Sequence, residues 1–118
     1  VSADARERAF QALYEFDLRD GDFEELPGKA GRLVRGVIDH RPELDETLDE
    51  VSSRWRVARM PPVDRAILRL GLYELRFESN TPAAVVLSEA VRLAKTYSTE
   101  RSGAFVNGIL GKVAQSER

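Results

Sequence analysis

The stretch M-P-P-V-D-R-A-I-L-R-L-G-L-Y-E-L-R-F, residues Met60 to Phe77, decides the fold of this chain. Val63, Ala66, Ile67, Leu70 and Gly71 recur at i, i+3, i+4, i+7 and i+8, the apolar stripe of a helix with one face on a core. Leu68, Leu72 and Leu75 widen the stripe around most of the circumference, so this helix needs neighbours on several sides. Only Asp64, Arg65, Arg69, Glu74 and Arg76 interrupt it. Gly71 offers a place for another helix to come close, at about 1 kcal/mol against alanine. The expectation is a central helix over 61–77 with amphipathic helices packed around it.

Outward from this helix the pattern stays helical. Over Ala3–Asp20, residues Ala5, Ala9, Phe10, Leu13, Tyr14, Phe16 and Leu18 keep helical spacing, with Asp4 and Glu7 near the positive end of the dipole. A short acidic connection from Asp22 leads to Pro27 and Gly28. A second helix follows, from about Lys29 to His40, with Leu33, Val34, Val37 and Ile38 inward. Pro42 suits the first turn of a third helix, on which Leu44, Leu48, Val51 and Trp55 form a stripe. The pattern lapses from Arg56 to Pro62, where two prolines mark a boundary. Beyond Phe77, Thr81 is the expected N-cap and Pro82 the first residue of a fifth helix, which turns Val86, Leu87, Ala90, Val91, Ala94 and Tyr97 inward. Ser98–Gly103 breaks the periodicity. Phe105, Val106, Ile109, Leu110 and Val113 then form the last helix, with the glycines at 103, 108 and 111 read as points of close packing. The predicted fold is all-α: six helices in two antiparallel three-helix subdomains, 1–60 and 61–118, together one compact domain.

Composition removes several classes of chemistry. With no cysteine among 118 residues, disulfides, thiolate nucleophiles and cysteine-based zinc sites are excluded. The single histidine, His40, falls at the end of helix two, where a surface or capping role is the simpler reading. Asp45, Glu46, Asp49 and Glu50 cluster on helix three, and acidic pairs at i, i+4 on an exposed face read as solvated surface rather than a metal site. No phosphate-binding glycine loop and no nucleophile with a base at hand appear, so neither an enzyme nor a cofactor is expected. No apolar run approaches the ~20 residues of a membrane span, and no signal-peptide pattern is present. A soluble cytoplasmic protein without a membrane partner is expected. The first residue is Val rather than Met, which fits a natural extension upstream.

Charge is divided unevenly. Residues 1–53 carry 7 Lys/Arg against 14 Asp/Glu and residues 54–118 carry 11 against 6, net −7 and +5 in a chain of net −2. An anionic partner would therefore meet the C-terminal half, joined by Arg6 and Arg8 near the chain start. Between Ser98 and Asn107, the side chains of Arg101, Phe105 and Asn107 place a cation, an aromatic face and an amide in one short segment, with Lys95 just before it. Single-stranded RNA is bound with these groups: an aromatic to stack on, cations for phosphates, an amide for base edges. The competing reading makes Phe105 core and Asn107 a packing residue, and the residues alone leave both open.

Several motifs occur together and in order: Val63-Asp64-Arg65-Ala66-Ile67-Leu68-Arg69, Leu72-Tyr73-Glu74-Leu75, Glu89-Ala90-Val91-x-Leu93-Ala94-Lys95, Ser98-Thr99-Glu100 and Phe105-Val106-Asn107-Gly108-Ile109-Leu110. With Ala5-Arg6-Glu7-x-Ala9-x-Gln11-Ala12-Leu13-Tyr14 at the start, the chain resembles the NusB family of bacterial transcription antitermination factors over nearly its whole length. The resemblance implies two three-helix subdomains and no catalysis. It implies binding to the boxA element of ribosomal RNA leader transcripts together with NusE, a small-subunit ribosomal protein, and through them an indirect link to the RNA polymerase elongation complex. It implies that Arg6 belongs to an arginine-rich RNA-binding motif and that Phe105 and its neighbours contact RNA. Tyr14 and Asp64 would lie at or near the contact surface for NusE and RNA. Homodimers are implied for some members.

The chain departs from the family pattern in two ways. Ser2, Ala3 and Asp4 stand where relatives often carry arginines, and Arg101 stands where many carry aspartate. A guanidinium in place of a carboxylate strengthens phosphate contact, so Arg101→Asp is expected to weaken RNA binding and flatten its salt dependence. The alternative assignment is the NusB-like domain of a ribosomal RNA cytosine methyltransferase. The absence of a methyl-donor loop before Ser116-Glu117-Arg118 favours a free-standing factor.

Overall fold

The computed structural model describes residues 1–118 as six α-helices with no strand: α1 Ala3–Leu18, α2 Gly28–Asp39, α3 Arg41–Val51, α4 Pro62–Phe77, α5 Ala83–Tyr97 and α6 Glu100–Glu117. One 3-10 turn, Val57–Arg59, lies before Pro61 and Pro62. The all-α expectation holds, and so does the place of the central helix. Every residue of α4 from Ala66 to Leu75 is buried, because α1, α2, α3, α5 and α6 all pack on it. A single apolar core of 26 residues runs through all six helices. The three C-terminal helices also pack on one another, whereas α3 is held to the rest chiefly through α4. At Gly71 α6 packs tightly on α4: a Cβ there would lie 2.6 Å from Leu110 Cδ1.

The charges that interrupt the α4 stripe reach neighbouring helices. Arg65 meets Asp17 of α1 at 2.6 Å, and Arg69 donates to both oxygens of Asp45 on α3 at 2.8 and 2.9 Å. Arg76 meets Glu117 of α6 at 2.6 Å. Glu74 accepts two hydrogen bonds from Arg6 of α1, at 2.7 and 2.8 Å, with both side chains almost wholly buried. Such pairs add little net stability against apolar replacements, because each ion must be desolvated.

Several boundaries differ from the sequence reading. Helix three ends at Val51, four residues before Trp55, because Ser52 turns extended and its Oγ bonds both the N–H (3.2 Å) and the carbonyl (2.7 Å) of Trp55. A serine that satisfies nearby backbone groups in this way competes with the helix ladder. Helix five begins at Ala83 with Pro82 in extended conformation as its cap, and Thr81 makes no cap bond. The break before α6 is only Ser98 and Thr99, since Thr99 Oγ1 accepts from the Ser102 N–H at 3.1 Å and starts the helix at Glu100. Of the three glycines read as packing points, Gly103 lies against Lys95, while Gly108 and Gly111 face open space. The acidic face of α3 is also more than solvated surface: Asp45 holds Arg69, and Asp49 accepts the Val57 N–H at 2.7 Å.

Candidate nucleic-acid interface

The predicted binding residues divide by the company they keep. Arg101 is exposed on the first turn of α6 with no carboxylate within 4.0 Å, and Phe105, one turn on, is half-buried. The two share a cleft of about 250 Å³ with Arg54, Trp55, Asp64 and Ser102. Phe105 is thus neither plain core nor free surface: its ring meets that of Trp55 edge-on, centroids 5.4 Å apart, and its remaining surface lines the cleft.

Asp64 lies beneath these groups, 2% exposed. It comes from the first turn of α4, where a carboxylate suits the helix dipole. Its Oδ1 is the one buried side-chain polar atom of the protein with no hydrogen-bond partner. Burial pushes this carboxyl above the usual carboxylate range, and Ser102 offsets the push only in part. A buried acceptor left open costs about 1–3 kcal/mol.

Lys95 and Asn107 face the other side of the α6 start. They line a separate depression of about 460 Å³ with Ser88, Glu100 and Gly103, and the Lys95 ammonium lies 3.5 Å from Glu100. Tyr14 lines a third, more apolar groove of about 500 Å³ with Phe10, Leu18, Val63 and Tyr97. Val63 lines that groove and Asp64 the cleft, and Tyr97 and Ser98 repeat the arrangement, so the two depressions adjoin.

Arg6 requires a correction. The sequence expects it to grip phosphates, yet its side chain is 3% exposed, hydrogen-bonded to both Glu74 oxygens and 3.5 Å from Glu89. Burial opposes its charge, but the bonds to Glu74 and the nearby Glu89 outweigh this and raise its pKa. Around it, Tyr97 donates to Glu7 at 2.5 Å and Arg92 bridges Glu7 and Glu89, which ties α1 to α5. That hydrogen bond from Tyr97 holds the Glu7 carboxyl below its ordinary value. Arg8 is exposed but shares a shallow depression with Glu15, Glu24 and Leu26, away from the clefts beside α6. No group of three or more acidic or histidine side chains is arranged to hold a metal ion. No helix is long and apolar enough to cross a membrane.

The sequence reading missed Trp55 and Arg54. Trp55 was given to the stripe of helix three, and Arg54 was counted only as charge. The Arg54 guanidinium sits 5.0 Å from the centre of the Trp55 ring, exposed and without an acidic partner. The available signal was R-W-R-V-A-R over Arg54–Arg59, three arginines and an aromatic with no acid between them.

Fold and surface together define an all-helical protein whose C-terminal half gathers unpaired cations and aromatic rings on one face. The model described as the NusB family matches residues 3–115, and the chain belongs to that family. It is 46% identical over 125 residues to the transcription antitermination protein NusB of Anaeromyxobacter dehalogenans (strain 2CP-1 / ATCC BAA-258), covering 93% of this chain and 87% of that protein. Against the protein of the same name from Saccharopolyspora erythraea it is 48% identical over 124 residues, covering 93% and 84%. Its fold is similar to the T. maritima NusB structure, with TM-score 0.88, 33% identity and coverage of 98% of this chain and 91% of that one. It is also similar to a chain in the crystal structure of antitermination factors NusB and NusE in complex with dsRNA, with TM-score 0.86, 32% identity and coverage of 97% and 96%.

Proposed function

We propose that this protein is a cytoplasmic transcription antitermination factor that binds boxA RNA of ribosomal RNA leader transcripts jointly with NusE. The observation that carries the reading is the unpaired Arg101 beside the half-buried Phe105, above a cleft whose floor holds an unsatisfied carboxylate oxygen. Phe105 supplies a stacking face, Arg101 a phosphate contact and Asp64 an acceptor for a donor on the incoming molecule. The adjoining groove around Tyr14, with Leu18 54% exposed, is the apolar surface offered to NusE. Lys95 and Asn107 add contacts on the far side of the α6 start. Arg6 acts inside the fold. Relatives that carry the antitermination name, matched over 84% and more of their length, favour this reading over a methyltransferase domain.

The reaction is assembly rather than catalysis, and the bound complex acts on RNA polymerase indirectly. Fluorescence anisotropy with boxA RNA, with and without NusE, tests it. Tighter binding is expected when NusE is present, with Phe105→Ala losing about 1–3 kcal/mol and Arg101→Asp weaker and less salt-sensitive. RNA affinity unmoved by both substitutions would remove this cleft from the site.

A further inference from the structure

Nine of the 18 Lys and Arg side chains have a carboxylate within 4.0 Å, and most of those pairs join one helix to another. Three cations without one, Arg54, Arg101 and Lys112, converge on Phe105. Phe105 separates two clefts. The first is the one already described, with Arg101 at its rim. The second, about 190 Å³, is lined by Ser53, Gly108 and Lys112 among others. Arg54 and Phe105 belong to both. Cations therefore run Arg101, Arg54, Lys112 along a line of aromatic surface.

We infer that RNA crosses both clefts: the connection Ser52–Met60 forms a second half of the binding surface, in which the Arg54–Trp55 stack takes a base and Arg54 and Lys112 take phosphates. The inference rests on the proposed function. The Trp55 and Phe105 rings stand at 66° to one another, which gives two platforms facing different directions, as a turning single strand requires. The Arg54 guanidinium lies over the Trp55 ring, and bases stack on guanidinium planes as they do on aromatic rings. The connection is held in place before any ligand arrives: Ser52 Oγ fixes the Trp55 backbone, and Asp49 fixes the Val57 N–H. Gly108 leaves the helix backbone bare in the second cleft, where a Cβ would touch nothing within 4 Å. Pre-set aromatic and cationic groups of this kind cost little ordering on binding. Ring faces spaced between free cations suit a strand with alternating bases and phosphates, whereas an acidic peptide would use the cations alone.

Trp55 is the only tryptophan in the chain, so its emission reports RNA arriving at the Trp55–Phe105 pair, and the double variant reads the second cleft. The experiment titrates boxA RNA into the protein with NusE already bound, following Trp55 emission and RNA anisotropy together, for wild type, Arg101→Ala and the double variant Arg54→Ala, Lys112→Ala. Both substituted residues of the double variant are exposed, and circular dichroism checks that it is folded. Trp55 emission is expected to change with the same midpoint as anisotropy. The double variant should lose about 1.4 from the slope of log K against log salt, about 0.7 per single-strand phosphate contact. An unchanged slope in the double variant, with Arg101→Ala weakened, would overturn the second half of the surface and leave the proposed function standing. No RNA binding by the wild type even with NusE would overturn both.

Discussion

Arg6 on α1 and Arg101 on α6 are the same side chain in opposite circumstances. Arg6 is enclosed by Glu74 and Glu89, its guanidinium spent on joining α1 to α4. Arg101 stands at a cleft mouth with no carboxylate in reach. The difference teaches that in this fold a cation is available to a ligand only where the neighbouring helices leave it unneutralised, whatever its place in a family motif. By that measure the proposed binding face lies around the start of α6 and the connection before α4, with α1 as frame.

The largest expected effect separates the two arginines outright. Arg6→Ala leaves Glu74 buried without its counter-ion and should cost about 3–5 kcal/mol in urea unfolding. The pair Arg6→Met with Glu74→Leu should recover most of that loss, since apolar groups of similar size need no desolvation. A double variant as unstable as the single one would contradict the account of Arg6 as one member of a buried ion pair.

Next in size is the cleft floor. Asp64→Asn should stabilise the protein by about 1 kcal/mol at neutral pH, because it removes the charge that burial opposes. Burial raises the Asp64 pKa above its unfolded value, so ionisation erodes stability as pH rises from the ordinary carboxylate range through the folded value. The gain from Asp64→Asn should therefore be present at neutral pH and vanish in acid. Glu7 has the opposite sign: its folded pKa is lowered by the Tyr97 hydroxyl, so its contribution is present above the ordinary carboxylate value and lost as pH falls through the folded one. Stability curves against pH for Asp64→Asn and Glu7→Gln should diverge in opposite directions on leaving acid. Parallel curves would sink the contrast.

Glycines give a smaller test. Gly111→Ala meets open space and should raise stability by about 0.5–1 kcal/mol through helix propensity. Gly71→Ala gains the same propensity but drives a Cβ to 2.6 Å from buried Leu110, so thermal unfolding should show no such gain. Smallest of all, Arg101→Ala should change stability by no more than about 0.5 kcal/mol, since it is exposed and breaks no ion pair within the protein.

The helices were legible because each carries its own apolar period, and α4 most of all, since its stripe is wide enough to announce burial on every side. Tyr14 and Phe105 stand out through the family motifs and Arg101 through residue type alone, while the residues leave Phe105 open between core and surface. Arg6 was misread because its partner Glu74 lies 68 residues along the chain, and no local pattern announces that pairing. Trp55 was misread because its spacing continues the α3 stripe, while the Ser52 hydroxyl ends the helix before the stripe reaches it. Gly108 and Gly111 fit a packing pattern by spacing, yet no neighbouring helix faces them.

What the sequence determined alone was the number of helices, their order and which of them lies at the centre, since apolar spacing and capping act within a few residues. The tertiary structure decided which charges are spent and which remain free, because neutralising or burying an ion depends on carboxylates and apolar walls brought together from distant parts of the chain.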